Sequence, residues 1–195
     1  MVNLSKGQRV SLDKGMKLCL VGLGWDPNRY RGSHDFDLDA SVFLLGPNGR
    51  VRSDDDFVFY GNQVHSSGSV KSLGDDRTGG NSDDGDDEQI IINLDRIPAH
   101  VTRLAITVSI YDAQARRQNF GQVSNAYVRV AKIKNENDDQ GYEVVRYDLD
   151  EDFADETAIV ACEISRNGSE WKFSAVGAGY SGELVGLCRQ FGVNV

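Results

Sequence analysis

Apolar positions along this chain recur in short β-rich runs bounded by turn residues, and only rarely at helical spacing. The runs fall at 16–23, 38–45, 57–61, 89–94, 101–111, 125–133, 142–147, 157–165 and 170–176, and each predicts a strand. Two of the turns are legible by chemistry. Pro47-Asn48-Gly49 separates VFLL from RVR, and Asn167-Gly168 separates IVACEIS from EWKFSAV. An Asn-Gly between two such runs is a strong short-range hairpin signal. Helical spacing is confined to two places. Ser181 is placed to cap a helix with Leu184, Val185, Leu187, Cys188 and Phe191 on one face and Gly192 at its end, and a short helix is predicted at 112–119. Many short strands with little helix predict an all-β fold, a sandwich of mostly antiparallel strands. A length of 195 residues suits one domain, 1–195.

Composition narrows the class. The chain is 39% hydrophobic and 26% charged, the balance of a soluble globular protein. No stretch approaches the roughly 18 apolar residues of a membrane-spanning helix, so no membrane insertion is expected. The N-terminus, MVNLSKGQRVSL, lacks the apolar core of a secretory signal. Cys19, Cys162 and Cys188 are odd in number and widely spaced, which suits reduced thiols. A cytoplasmic location is expected. The net charge of −9 argues against nucleic acid, whose phosphates call for a basic surface.

The position of that charge says more than its size. Residues 75–88 (DDRTGGNSDDGDDE) hold seven acids and one Arg, and DFDLD at 35–39 adds three more acids. The rest of the chain is formally neutral. On a strand, period two puts Asp35, Asp37 and Asp39 on one face and Phe36, Leu38 and Ala40 on the other. Three adjacent carboxylates repel one another unless a cation neutralises them or water screens them. A solvated charged face is the ordinary reading of such a run. Asp disfavours strands, however, so its threefold use points to a second role.

The 75–88 segment suggests that role. Its acids interleave with Gly79, Gly80 and Gly85, and calcium wants about 6–8 oxygen ligands on a backbone that bends sharply. Magnesium is less suited, and the lack of Cys or His in either segment argues against softer metals. The EF-hand rule fails, because Ala40 and Gly46 stand where Gly and Glu are required.

Other motifs carry less. GAGYSG at 177–182 matches a dinucleotide fingerprint literally, but too little chain follows it for the second strand of that fold, so a tight strand-to-helix turn is expected. The basic patch Arg116-Arg117-Gln118-Asn119 reads as a charged helix face turned to water, with contact to a phosphate or an acidic partner as the alternative. His34 and His65 read as ordinary surface residues. No Ser/His/Asp set or Cys/His pair has local support, so no catalytic residue and no enzymatic activity are expected.

Together the segments resemble one family. GLGWD at 22–26, DFDLDAS at 35–41, DFVFYGN at 56–62, GSV at 68–70 and GDDRTGG…DGDDE at 74–88 are similar to the TerD family of tellurium-resistance stress proteins. The similarity continues through DAQARRQNFGQVSNAYVR, RYDLDEDFADETA and EWKFSAVGAGYSGEL, in order and over nearly the whole chain. The family also takes in a cyclic-AMP-binding protein of slime moulds. The resemblance implies a β-sandwich and one or two calcium ions held among Asp35, Asp37, Asp39, Asp75, Asp76, Asp84, Asp86, Asp87 and Glu88. It implies a role in tellurite resistance and stress, with other tellurium-resistance or membrane-associated stress proteins as partners. The family's usual GDNRTG reads GDDRTGG here, an extra carboxylate at Asp76. Two rival functions follow from the same acids: a module whose anion or cyclic nucleotide is bridged by calcium, and a metal-dependent hydrolase, for which no base or nucleophile stands out.

Overall fold

Alternation along each strand resolves into two sheets that bury one face against each other. The computed structural model describes residues 1–28, 34–74, 85–138, 141–149 and 154–195. In chain order the strands are β1 (Val2–Leu4), β2 (Arg9–Ser11), β3 (Leu18–Gly24), β4 (Leu38–Leu45), β5 (Phe57–Val58) and β6 (Val70–Ser72). There follow β7 (Glu88–Asn93), β8 (Arg103–Ile110), β9 (Tyr127–Lys132), β10 (Tyr142–Asp148), β11 (Ala158–Asn167) and β12 (Glu170–Tyr180). Helix α1 (Ala113–Arg116) follows β8, and α2 (Glu183–Phe191) follows β12.

Sheet A runs β1-β10-β9-β3-β7-β6 and sheet B runs β2-β12-β11-β8-β4-β5. Every pairing is antiparallel except β1 with β10. All four sheet edges are formed by strands of two or three residues, β1 and β6 in one sheet, β2 and β5 in the other.

The main core lies between the sheets. Cys19, Val21 and Leu23 of β3 and Ile90 and Ile92 of β7 face Leu38, Val42 and Leu44 of β4 and Ile106 and Val108 of β8. The opposite face of sheet B carries a second core beneath α2, where Leu187, Cys188 and Phe191 pack on Phe43, Leu45, Ala105 and Val160. Aromatic rings organise it: Phe43 stacks on Phe57 at 4.3 Å between centroids and meets Phe191 at 4.7 Å.

The predicted all-β sandwich is therefore the observed fold, with local differences. Asn167-Gly168 does connect β11 to β12, with Asn167 opposite Glu170 and Gly168 at φ 64°. The 46–50 turn also forms, Gly49 N–H donating to Gly46 O, but RVR beyond it is not a strand. There Val51 N–H bonds instead to Phe191 O in α2, an acceptor remote in sequence. The strand expected over 170–176 continues to Tyr180, so most of GAGYSG is sheet rather than turn. Gly182, at φ 101°, takes the position before α2 that was expected of Ser181. Val185 is exposed rather than on the buried face of α2. The helix expected at 112–119 stops after Arg116, where Arg117 adopts φ 55°. Strands β1, β2 and β6 were not predicted, being too short to show a period.

Phe43 is fully buried at the junction of β4, β5 and α2. Phe43→Ala is expected to cost about 3–5 kcal/mol, as large aromatic truncations in cores do. Chemical denaturation measures the loss, and an unchanged midpoint would show that α2 packs without this ring.

Candidate functional site

Residues 85–88, the described part of the second acidic segment, meet the DFDLD segment at one end of the sandwich, where β3 ends and β4 and β7 begin. Asp87 N–H donates to Leu23 O at 2.8 Å, and Trp25 N–H donates to Asp87 Oδ2 at 2.8 Å. The Trp25 indole N–H reaches Phe36 O at 3.2 Å, tying the end of β3 to the entry of β4. Glu88, on the inward face of sheet A, accepts the Ala40 N–H of sheet B, so one carboxylate spans the sheets. Asp75, Asp76 and Asp84 lie outside the described residues.

Alternation along β4 sorts the DFDLD segment as its pattern predicts. Phe36, Leu38 and Ala40 enter the core between the sheets. Asp37 and Asp39 point to the other face yet are only 8% and 6% exposed, while Asp35 is exposed. Asp37 Oδ2 lies 3.4 Å from Arg116 Nη1, and the same guanidinium sits 5.1 Å from the Tyr111 ring centroid. Gln118, also buried, donates to His34 O at 2.8 Å and to Asp35 O at 3.2 Å. The basic patch expected to face water therefore splits. Arg117 is exposed, whereas Arg116 and Gln118 brace the acidic strand.

Asp86 takes a different direction. Its side chain is fully buried on the outer face of sheet A, where Arg129 Nε and Nη2 donate to its two oxygens at 2.7 Å each. Tyr127 Oη adds a donor at 3.1 Å and Gln89 Nε2 another at 3.0 Å. The hydrogen bond to Asp86 holds the Arg129 guanidinium above its ordinary range, and burial followed by the Asp86 charge pushes the Tyr127 phenol up. Tyr127 thus stays a neutral donor, with Arg146 stacked 3.7 Å from its ring centroid. The Asp86 carboxyl crosses directly over Gly22, and a Cβ there would collide with it. Arg129 was the one visible signal for this pair: a charge in the apolar run YVRVAK.

A second cluster escaped the sequence reading altogether. His65, taken above as a surface residue, is 3% exposed beside Asp56 at 1%. Its Nε2 lies 3.1 Å from Asp56 Oδ1, and its Nδ1 accepts Ser67 N–H at 3.1 Å with Ser67 Oγ at 2.7 Å. The accepting role of Nδ1 places the ring proton on Nε2, facing Asp56. His100 Nε2 stands 3.5 Å from the other Asp56 oxygen, which also accepts Arg52 N–H at 3.0 Å. A Ser–His–Asp chain thus exists in three dimensions although nothing local announced it. It fastens the connection between β5 and β6 to the body of sheet B.

Burial raises the Asp56 carboxyl, but hydrogen bonds from His65, Arg52 N–H and His100 outweigh it and hold it below its ordinary value. The three cysteines are free and buried. Burial pushes the Cys19 thiol up to about 12 and raises Cys162 and Cys188 as well, so none is a poised nucleophile.

Two expectations follow. Gly22→Ala should break the Asp86–Arg129 pair and cost about 3–5 kcal/mol, the loss typical of breaking a buried ion pair. In an Asp86→Ala background the added methyl has room, so a double-mutant cycle should show strong coupling; additive losses would place the strain elsewhere. Asp56 contributes stability above about pH 4, the ordinary Asp value, and that contribution disappears as the pH falls through its lower folded value. Asp56→Asn should flatten this acid limb of the stability curve, and an unchanged limb would assign it to other carboxylates.

The family model for the TerD domain matches residues 1–191. Tellurium resistance protein TerD of Serratia marcescens is 54% identical over 196 residues, covering 99% of this chain and 98% of the relative. General stress protein 16U of Bacillus subtilis (strain 168) is 48% identical over 197 residues, covering 100% and 98%. Among solved structures, a Streptomyces coelicolor A3(2) homologue of telluride resistance protein (TerD) superposes with a TM-score of 0.67 at 25% identity, covering 88% of this chain and 94% of that one. Among the described residues, no helix is long and apolar enough to cross a membrane.

Proposed function

Because this chain belongs to the TerD domain family, we propose that it is a calcium-binding protein of tellurite resistance and stress response, acting in the cytoplasm without enzymatic turnover. One observation carries the calcium reading. Asp37, just ahead of β4, and Asp39, within it, are both more than nine-tenths buried and stand two residues apart. Two like charges so placed repel; Arg116, 3.4 Å from Asp37, supplies one positive charge, and a divalent cation would supply more.

The donor chemistry fits a hard cation. The acids gathered at this end of the sandwich are Asp and Glu, ligands of calcium rather than of zinc or copper. Asp37 and Asp39 would hold the ion, with Asp35 and Asp87 beside them. Among the described residues no three His, Cys, Asp or Glu side chains form a ready metal cluster. The remaining ligands would therefore come from Asp75, Asp76 and Asp84, from carbonyls and from water. Asp86 and Glu88 have a different part in this reading. Asp86 is engaged by Arg129 and Glu88 by Ala40 N–H, so they brace the segments that carry the ligands. When bound, calcium would supply the charge that lets the two acidic segments lie together.

Binding to the folded state alone adds about 2.7 kcal/mol at a hundredfold excess over Kd. Melting in calcium against chelator should show that gain as a higher Tm. Asp37→Asn with Asp39→Asn should weaken calcium binding at least about tenfold, measured by calorimetry, a loss of about 1.4 kcal/mol or more. Equal Tm in calcium and chelator would sink the reading.

A further inference from the structure

We propose that the outer face of sheet B carries a binding site for a small organic cation, a protonated amine or guanidinium on an apolar or aromatic body. The site is a cavity of about 480 Å³ between α2, the β5 turn and the end of β8. That volume lies in the roughly 300–1,000 Å³ range of small-molecule sites.

Its walls are apolar and aromatic. Phe57, Phe59 and Tyr60 form one side, and Leu184, Val185 and Val193 the other. Phe57 and Phe59 stack at 4.4 Å, so this wall is a continuous ring surface. Tyr111 borders the end of β8 and already takes a cation on its face, the Arg116 guanidinium at 5.1 Å. Aromatic faces attract such groups through their quadrupole.

The charge in the cavity has one sign. Asp39, Asp54, Asp112 and Glu183 line it, and among the described residues no Lys, Arg or His does. Asp54 accepts from Asn194 and Glu183 accepts from Gln114 N–H at 2.8 Å, both neutral donors. Asp54, Asp112 and Glu183 have no cationic partner among the described residues. Arg116, the nearest cation named here, is directed to Asp37.

A polar group at the floor also points to a ligand. Ser109 is 2% exposed and lines the cavity, on the same face of β8 as Thr107. Thr107 bonds to Ser41, whereas the Ser109 hydroxyl has no hydrogen-bond partner among the described residues. That hydroxyl opens onto the cavity and can donate to or accept from a group seated there. An ammonium or guanidinium seated beside Asp112 and Glu183 would donate to Ser109 while its apolar body lay against Phe57, Phe59 and Tyr60.

The inference does not rest on calcium, and its test is run in chelator so that the two stand or fall separately. The probes are tryptamine and phenylguanidine, with tryptophol and indole-3-propionate as neutral and anionic versions of the indole, measured by calorimetry and ligand-observed NMR. At least one cation should bind saturably, about tenfold or more tighter than tryptophol, with indole-3-propionate weakest. Asp112→Asn removes a charge yet suits the left-handed backbone at φ 53°, and Glu183→Gln keeps the acceptor for Gln114. Each should weaken the cation several-fold with wild-type Tm. Val185→Trp, at an exposed position on the wall, should block the cavity. Three results would each overturn the proposal: neither cation binds at millimolar concentration, charge makes no difference, or folded Asp112→Asn and Val185→Trp bind as wild type does.

Discussion

The period-two alternation of β4 is the constraint on which the rest of this molecule depends. Its inward residues close the core between the sheets. Its outward residues, with Asp37 just ahead of the strand, grade from Asp39 through Ser41, bonded to Thr107 at 2.7 Å, to Phe43 and Leu45. The charged end gives the candidate ion site, the apolar end seats α2, and the cavity opens where one gives way to the other. A slip of one residue in register would turn all of this inside out, driving carboxylates into the core.

The two acidic segments, alike in composition, do different physical work. DFDLD is a strand, and its charges stay together because the backbone alternates. In GDDE at 85–88 successive residues leave in different directions: Asp86 to Arg129 on the outer face of sheet A, Asp87 to Trp25 N–H, and Glu88 inward to sheet B. One segment concentrates charge, while the other spends its carboxylates on joining strands. Formal charge alone could not separate them, because the difference lies in which partner each side chain reaches.

What could be read from the chain, and what could not, follows the same line. The sandwich, the Asn167-Gly168 hairpin, the C-terminal helix and the two faces of DFDLD all rest on local periodicity or turn chemistry, and all are present. The burial of His65, the Asp56 cluster and the Asp86–Arg129 pair rest chiefly on contacts 9 to 44 residues apart in sequence, beyond any local pattern. RVR at 50–52 has strand propensity but bonds to α2 instead, a tertiary contact overriding a local preference. Ser181 had the right chemistry for a cap, yet the backbone there required φ 101°, which Gly182 adopts readily.

The short strands at the four sheet edges have a colloidal consequence. An unpaired edge is a template on which another molecule can add a strand, and long flat edges invite chains to assemble side by side. Here the strands of six to eleven residues lie inside each sheet, and strands of two or three residues form the edges. A visiting strand that paired with β1, β2, β5 or β6 would meet only two or three residues of regular edge. How long a flat edge this molecule offers to a neighbour is thus decided by the order of its strands rather than by its surface charge.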